Sequence, residues 1–233
     1  MNNVLKKLLI SALSKKKQDR WWLSGGVLSS NCVAAYQPKG AISLAASYIN
    51  LNMPGTYDAS LGVAPGFVAS GWRFLAPSLQ YLKTGVIPNS TFSAIFRYSN
   101  LGLDMAYSLG SFGGINTRFM LSSLSPSASG KRRYLFGDKF SDTISVSVSS
   151  GVMAMSAAGT SAITYFDGSV DTLATPLTSV TWSGIPVEIY IGTFNNSGVP
   201  SARATLDIQA VAFYNIALSA AQILAITTAM QAI

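Results

Sequence analysis

The residue types that most often carry chemistry are scarce in this chain of 233 residues, which has no histidine, one cysteine (Cys32) and one glutamate (Glu188). Nucleophile–imidazole pairs of the Ser-His-Asp or Cys-His kind are therefore excluded, as are zinc sites built on His and Cys. Glycoside hydrolysis of the usual kind needs two carboxyl groups facing each other across a cleft. Glu188, in "VEIYIG", has no second carboxylate near it on its strand. The expectation is no enzyme, with no catalytic residue to name. Cys32 reads as a small buried hydrophobe, since it has neither a disulfide partner nor an imidazole to activate it.

Oxygen ligands for calcium are the one metal set worth weighing. Asp138 and Asp142 in "FGDKFSD", Asp167 and Asp171 in "FDGSVD", and Asn195 and Asn196 in "FNNSG" are the candidates. Asp before Gly and Asn-Asn-Ser-Gly are common turn residues, and turn chemistry is the preferred reading. No cofactor and no metal are expected. Sugar binding asks for exposed aromatics beside amides. Trp72, Tyr165 and Tyr190 lie in strand-like runs suited to the core, whereas Trp182 in "TSVTWSGIP" sits in a loop context. Trp182, with Asn195 and Asn196, is the candidate glycan contact. Lys131, Arg132 and Arg133 in "GKRRY" form the basic cluster outside the first twenty residues. They read as a solvated hairpin tip able to make a salt-dependent contact. No elongated basic face interleaved with aromatics appears, so no specific nucleic-acid partner is expected.

Charge is scarce and unevenly spread. Charged residues make up 11% of the chain, against roughly 25% for ordinary soluble proteins. A surface so poor in charge suits a subunit of a larger assembly and a homo-oligomer. Residues 1–20 carry six basic groups against Asp19, a net +5, while the rest carries ten basic and eight acidic groups, a net +2. The apolar stretch "LLISAL" is short for an export signal and runs into three lysines. On a helix, Val4, Leu5, Leu8, Leu9 and Leu13 share one face, and Lys6 and Lys7 fall largely on the other. With Lys15, Lys16 and Lys17 they form a basic amphipathic arm. Docking on a protein groove is the preferred use, with a lipid surface or nucleic acid as alternatives. Trp21 and Trp22 would close the hinge after it.

The elements follow from periodicity. "FSAIFRYS" alternates, with Phe92, Ala94, Phe96 and Tyr98 on one face. Asp167-Gly168 between apolar runs is a hairpin turn. About a dozen short strands and one closing helix indicate an all-β fold, a β-sandwich of two antiparallel sheets. The helix starts at Ser219, where Gln222 completes a capping box and Leu218 with Ile223 forms a hydrophobic staple. Its apolar stripe comprises Ile223, Leu224, Ile226, Thr227 and Met230. Three segments are expected: a basic arm over 1–20, an extended, loop-rich entry over 21–65, and a sandwich over 66–233.

"GW.F", "YL.TG", "F.AIFR", "YFDG", "IYIG" and the terminal "FYNIALSAAQI" occur in that order. Over residues 66–233 this resembles the concanavalin A-like lectin/glucanase (laminin-G-like) superfamily. The resemblance implies a two-sheet antiparallel β-sandwich, a lectin-like jelly roll with a short C-terminal helix. The paired glutamates of its glucanase branch and the histidine of its alginate-lyase-like branch are missing here. The entry region, "WWLSGG" to "GWRFL", is similar in general appearance to structural proteins of tailed phages. Together these imply a non-enzymatic bacteriophage virion protein, a capsid decoration or tail component. The arm would dock on other virion proteins and the sandwich would be displayed outside. A carbohydrate-binding module contacting host-surface glycans is one alternative. A membrane-surface protein of a lipid-containing virus is another.

Overall fold

The computed structural model describes residues 20–104, 106–126 and 130–233, which form two stacked sheets with one helix against an outer face. The sheet nearer the helix holds β1 (Cys32–Tyr36), β3 (Gly66–Val68), β4 (Gly71–Phe74) and β6 (Thr91–Ser99). It is completed by β11 (Gly151–Ala158), β12 (Ser161–Phe166), β13 (Ser169–Val170) and β17 (Leu206–Tyr214). Its order is β13-β12-β11-β6-β17-β4-β3, and β1 pairs with β17. The second sheet is built from β2 (Ser60–Val63), β5 (Tyr81–Lys83), β7 (Leu109–Phe112) and β8 (Arg118–Ser122). It also takes in β9 (Lys131–Phe136), β10 (Lys139–Val146) and β14 (Tyr190–Ile191), in the order β10-β9-β8-β7-β14-β5-β2. β15 (Phe194–Asn196) runs parallel to β7 and pairs with β16 (Val199–Ser201); the other pairings are antiparallel. The fold is thus the two-sheet β-sandwich that the strand pattern predicts.

Alternation decides which side chains meet between the sheets. Phe92, Ala94, Phe96 and Tyr98 of β6 face the main core, where they join Trp72, Phe74, Phe119, Leu121, Tyr134 and Phe136. In β17 a bulge between Ile208 and Ala210 inserts one residue, so Ile208 and Val211 share the core face although three positions separate them. Ala210, Ala212 and Tyr214 turn outward with Ile95, Val152 and Ala154. That outward face is apolar and must be covered.

The closing helix Ala220–Gln231 covers it. Ser219 Oγ accepts from Gln222 N at 3.3 Å and Gln222 Oε1 accepts from Ser219 N at 3.0 Å, the expected capping box. Ile223, Ile226, Thr227 and Met230 are buried against the sheet, while Leu224 falls outside the stripe and is exposed. At the other end Arg97 donates to the carbonyls of Met230, Gln231 and Ile233, and Lys39 Nζ reaches Ile233 O at 2.7 Å. Cations there suit the helix C-terminus.

Trp21 and Trp22 do not form a hinge. Both are buried in this second cluster, ring edge to face at 5.7 Å. Their indole N–H groups donate to Gln37 and Asn52, and Tyr214 Oη donates to Trp22 O at 2.9 Å. The reason is geometric: Gly25 lets the segment approach so closely that a β-carbon there would lie 2.9 Å from Gln222 Cα. The entry segment is likewise woven in, giving β1 to one sheet and β2 to the other. The arm residues from Val4 to Lys17 lie outside the described residues.

Candidate functional site

A cleft lies where the chain crosses between the sheets. β5 ends at Lys83 and β6 starts at Thr91, and the link alternates: Thr84, Val86 and Pro88 are buried, Gly85, Ile87 and Asn89 exposed. Thr84 Oγ1 donates to Ile189 O at 2.7 Å and Ile189 N to Val86 O at 2.8 Å, which pins the inner positions. Gly85 N donates to Glu188 Oε2 at 2.7 Å. The outer positions therefore stand up as a rigid ridge.

Two buried or half-buried asparagines build the facing wall. Asn50 Nδ2 donates to Val33 O and Thr56 O, and its Oδ1 accepts from Ala35 N and Asn52 N. Asn52 Nδ2 donates to Cys32 O and Ser29 O. These bonds replace a backbone ladder in a segment that has none. They also present Tyr57 at φ 56°, a left-handed conformation that is unusual for a tyrosine. The Tyr36 hydroxyl donates to Tyr57 O and holds it there. Tyr57 stays 44% exposed, and its ring lies beside Gly85, where a β-carbon would come within 3.4 Å of it.

Between ridge and wall is a cleft of about 360 Å³. Tyr57, Met53 and Ile87 form its apolar rim, and Cys32, Val33 and Phe92 its floor. Asn89, Asn215, Ser29 and Ser30 supply the polar groups. Asn89 Oδ1 is occupied by Thr91 N at 2.8 Å, and among the described residues its Nδ2 has no partner. Among the described residues, no charged side chain lines the cleft. Burial pushes the Cys32 thiol up to about 12, so it stays neutral. A neutral cleft with an exposed ring, amides and hydroxyls can hold a polyol by stacking and hydrogen bonding. It offers nothing to neutralise a phosphate or a carboxylate.

The expected site residues lie elsewhere. Trp182 is half-buried and stacks on Phe136 at 5.2 Å, closing the end of the main core. Asn195 is buried and shapes its own turn, donating to Glu188 O and accepting from Gly198 N, while Asn196 is exposed beside it. Tyr190 and Trp72 are core residues, and Tyr165 is buried beneath the helix.

The basic cluster is not a solvated tip. Lys131, Arg132 and Arg133 open strand β9, and the strand period sends the two arginines to opposite faces. Arg132 turns inward to a bidentate pair with Asp171, and Arg133 turns outward to one with Asp142. The calcium candidates are spent in the same way. Asp167, at φ 48°, and Gly168 make the expected hairpin turn, with Asp167 Oδ1 accepting from Val152 N. Asp138 accepts from Thr181 N. Tyr57, Asn89 and Asn215 were not singled out by sequence; the available signal was an aromatic in the turn-rich "NMPGTYDAS".

No family model and no curated protein sequence matches the chain. Its fold does match solved structures. Trypanosoma rangeli sialidase in complex with sialic acid aligns with a TM-score of 0.64 at 17% identity, over 96% of this chain and 38% of the sialidase. The covalent intermediate of the same enzyme with 2,3-difluorosialic acid gives 0.63 at 18% identity, over 96% and 39%. The chain therefore spans about two-fifths of the length of these sialidases. Domain 4 of AbnA, a GH43 extracellular arabinanase from Geobacillus stearothermophilus, aligns at 0.53 and 14% identity, over 84% of this chain and 98% of that domain in complex with arabinotriose.

At these identities the likeness shows the fold, a β-sandwich shared with domains of carbohydrate-active proteins. It carries no sign of a phage protein. It also corrects the expectation that the chain is no enzyme. The solved structures that share its fold come from a sialidase and an arabinanase, at 14–18% identity, so the fold leaves an enzyme role open.

Proposed function

We propose that the chain is a carbohydrate-binding β-sandwich that takes a neutral glycan in the cleft beside Tyr57. The observation that carries this reading is the cleft itself: an exposed ring held at positive φ by Tyr36, faced by amides and hydroxyls, with no charge among the described residues that line it. Backbone held away from its relaxed conformation is common at ligand sites. The arabinotriose complex of the arabinanase domain lends support, because that domain has this fold and holds a neutral sugar.

Titration with arabinotriose and other neutral oligosaccharides, followed by amide NMR shifts, tests it. Tyr57→Ala should weaken binding by roughly tenfold or more, on the order of 1.4 kcal/mol. Tyr57→Phe should keep most of it. Unchanged affinity in Tyr57→Ala at an unchanged melting temperature would remove the cleft from consideration.

A second reading concerns place of action. The concentration of positive charge in residues 1–20 favours attachment to an acidic surface. We propose that this surface is a virion, capsid or tail, with the sandwich displayed as a homo-oligomer. The full chain should co-sediment with particles, and salt should weaken the contact. A chain lacking residues 1–20 should not co-sediment. Equal binding by both would place the contact on the sandwich and end the arm's role.

A further inference from the structure

The face of the second sheet that points away from the core carries a second arrangement, made of residues that play no part in the Tyr57 cleft. Leu109, Phe119, Leu121, Tyr134 and Phe136 face inward. The alternate positions Gly110, Phe112, Arg118, Met120, Arg133 and Leu135 therefore face outward. Strand register sets Phe112 opposite Arg118 and Gly110 opposite Met120, and lays Phe194 beside Gly110. Gly110 is required there, since a β-carbon would stand 2.7 Å from Met120 Cγ. Over this shallow floor the rings form a row. Phe194 meets Tyr107 at 5.1 Å and Phe112 at 6.3 Å.

Two guanidiniums flank the rings, Arg118 opposite Phe112 and Arg203 beside Tyr107. Arg118 pairs with Phe112 across the strands and is only 8% exposed. Its Nε donates to Gly137 O at 2.7 Å, and among the described residues no carboxylate lies within ion-pair distance of it. Asp138 acts on it from farther off and is itself engaged by Thr181 N and Lys139. Arg203 shares a parallel bridge with Tyr107, so the two side chains leave the same side. Among the described residues it too lacks an ion pair, and its Nε is buried with no hydrogen-bond partner. Arg133, by contrast, is neutralised by Asp142.

Burying a guanidinium without a counter-charge is costly, and leaving an N–H unpaired adds to the cost. Arg118 carries the first cost and Arg203 the second, and aromatic rings lie near both. Guanidinium forks match carboxylates, and ring faces accept the C–H faces of sugars. We infer that this face is a binding site for an oligosaccharide with a carboxylate on successive sugars, a uronate polymer. Arg118 and Arg203 would take carboxylates while the half-buried Phe112 and Phe194, backed by Tyr107, support the sugar rings between. A lone small anion would satisfy one arginine and ignore the row.

Calorimetric titration of the full chain with oligogalacturonate and with its methyl ester, from about 50 to 300 mM salt, tests the assignment. The acid should bind, weakening with salt, and the ester should bind at least roughly tenfold more weakly. Arg203→Gln, at a half-exposed position, should cost a similar factor while leaving neutral-glycan binding at Tyr57 unchanged. Arg118→Gln should do the same where its melting temperature shows that it folds. Equal binding of acid and ester, no binding of either, or wild-type affinity in Arg203→Gln would overturn the proposal. So would polyphosphate binding as tightly as the uronate, which would reduce the face to general anion attraction.

Discussion

Asp171→Ala is expected to lower the free energy of unfolding by about 3–5 kcal/mol. Asp171 and Arg132 are each 3% exposed at the side chain and meet in a bidentate pair at 2.7 and 2.8 Å. The carboxylate also accepts from the Tyr134 hydroxyl at 2.9 Å, while the guanidinium lies 4.0 Å over the Phe166 ring and donates to Val146 O. Removing the carboxylate leaves a positive charge and a hydroxyl stranded between the sheets. The pair need not add net stability, because desolvating both ions offsets most of their attraction. Replacing both residues together, Arg132→Met with Asp171→Leu, should therefore recover most of the loss. Urea unfolding of the two variants checks both halves. A loss below about 1 kcal/mol in Asp171→Ala would mean that water reaches the pair.

Gly71→Ala should be nearly as damaging, at roughly 3 kcal/mol or more. Gly71 sits at φ 118°, where a side chain is strained in any surroundings. Here a β-carbon would also lie 2.2 Å from Ile208 O, in the backbone of the neighbouring strand. That strand, β17, is hydrogen-bonded to β6 on its other side, so it cannot retreat without breaking the centre of the sheet. Gly40→Ala is the control: its φ is 80° but nothing lies within 4 Å of the added carbon. It should cost about 1 kcal/mol from strain alone. Equal melting temperatures for the two variants would show that the close approach to Ile208 is relieved by movement.

The scaffold was legible where one periodic rule acts alone. The alternation of Phe92, Ala94, Phe96 and Tyr98, the Asp167-Gly168 turn and the Ser219/Gln222 cap all stand in the fold as local chemistry requires. Legibility failed where a residue's role depends on what folds over it. Arg132 and Arg133 read as a charged tip because nothing local reveals that Asp171 and Asp142 wait for them on opposite faces. Trp21 and Trp22 read as a hinge because the helix that buries them lies about two hundred residues away in the chain. Trp182 showed an aromatic in a loop but not the Phe136 ring beneath it. Tyr57 failed for the opposite reason. Its loop has no period, and it is shaped by amide bonds from Asn50 and Asn52 that no sequence pattern announces.

The burial of Trp21 and Trp22 beside the closing helix also gives the molecule a front and a back. The chain enters the described fold on the helix-covered side, so whatever is joined through residue 20 pulls from there. The arginine-and-ring face belongs to the other sheet and looks the opposite way. Tethered by its leading segment, the sandwich would turn its helix toward the mooring and its open sheet toward whatever drifts past.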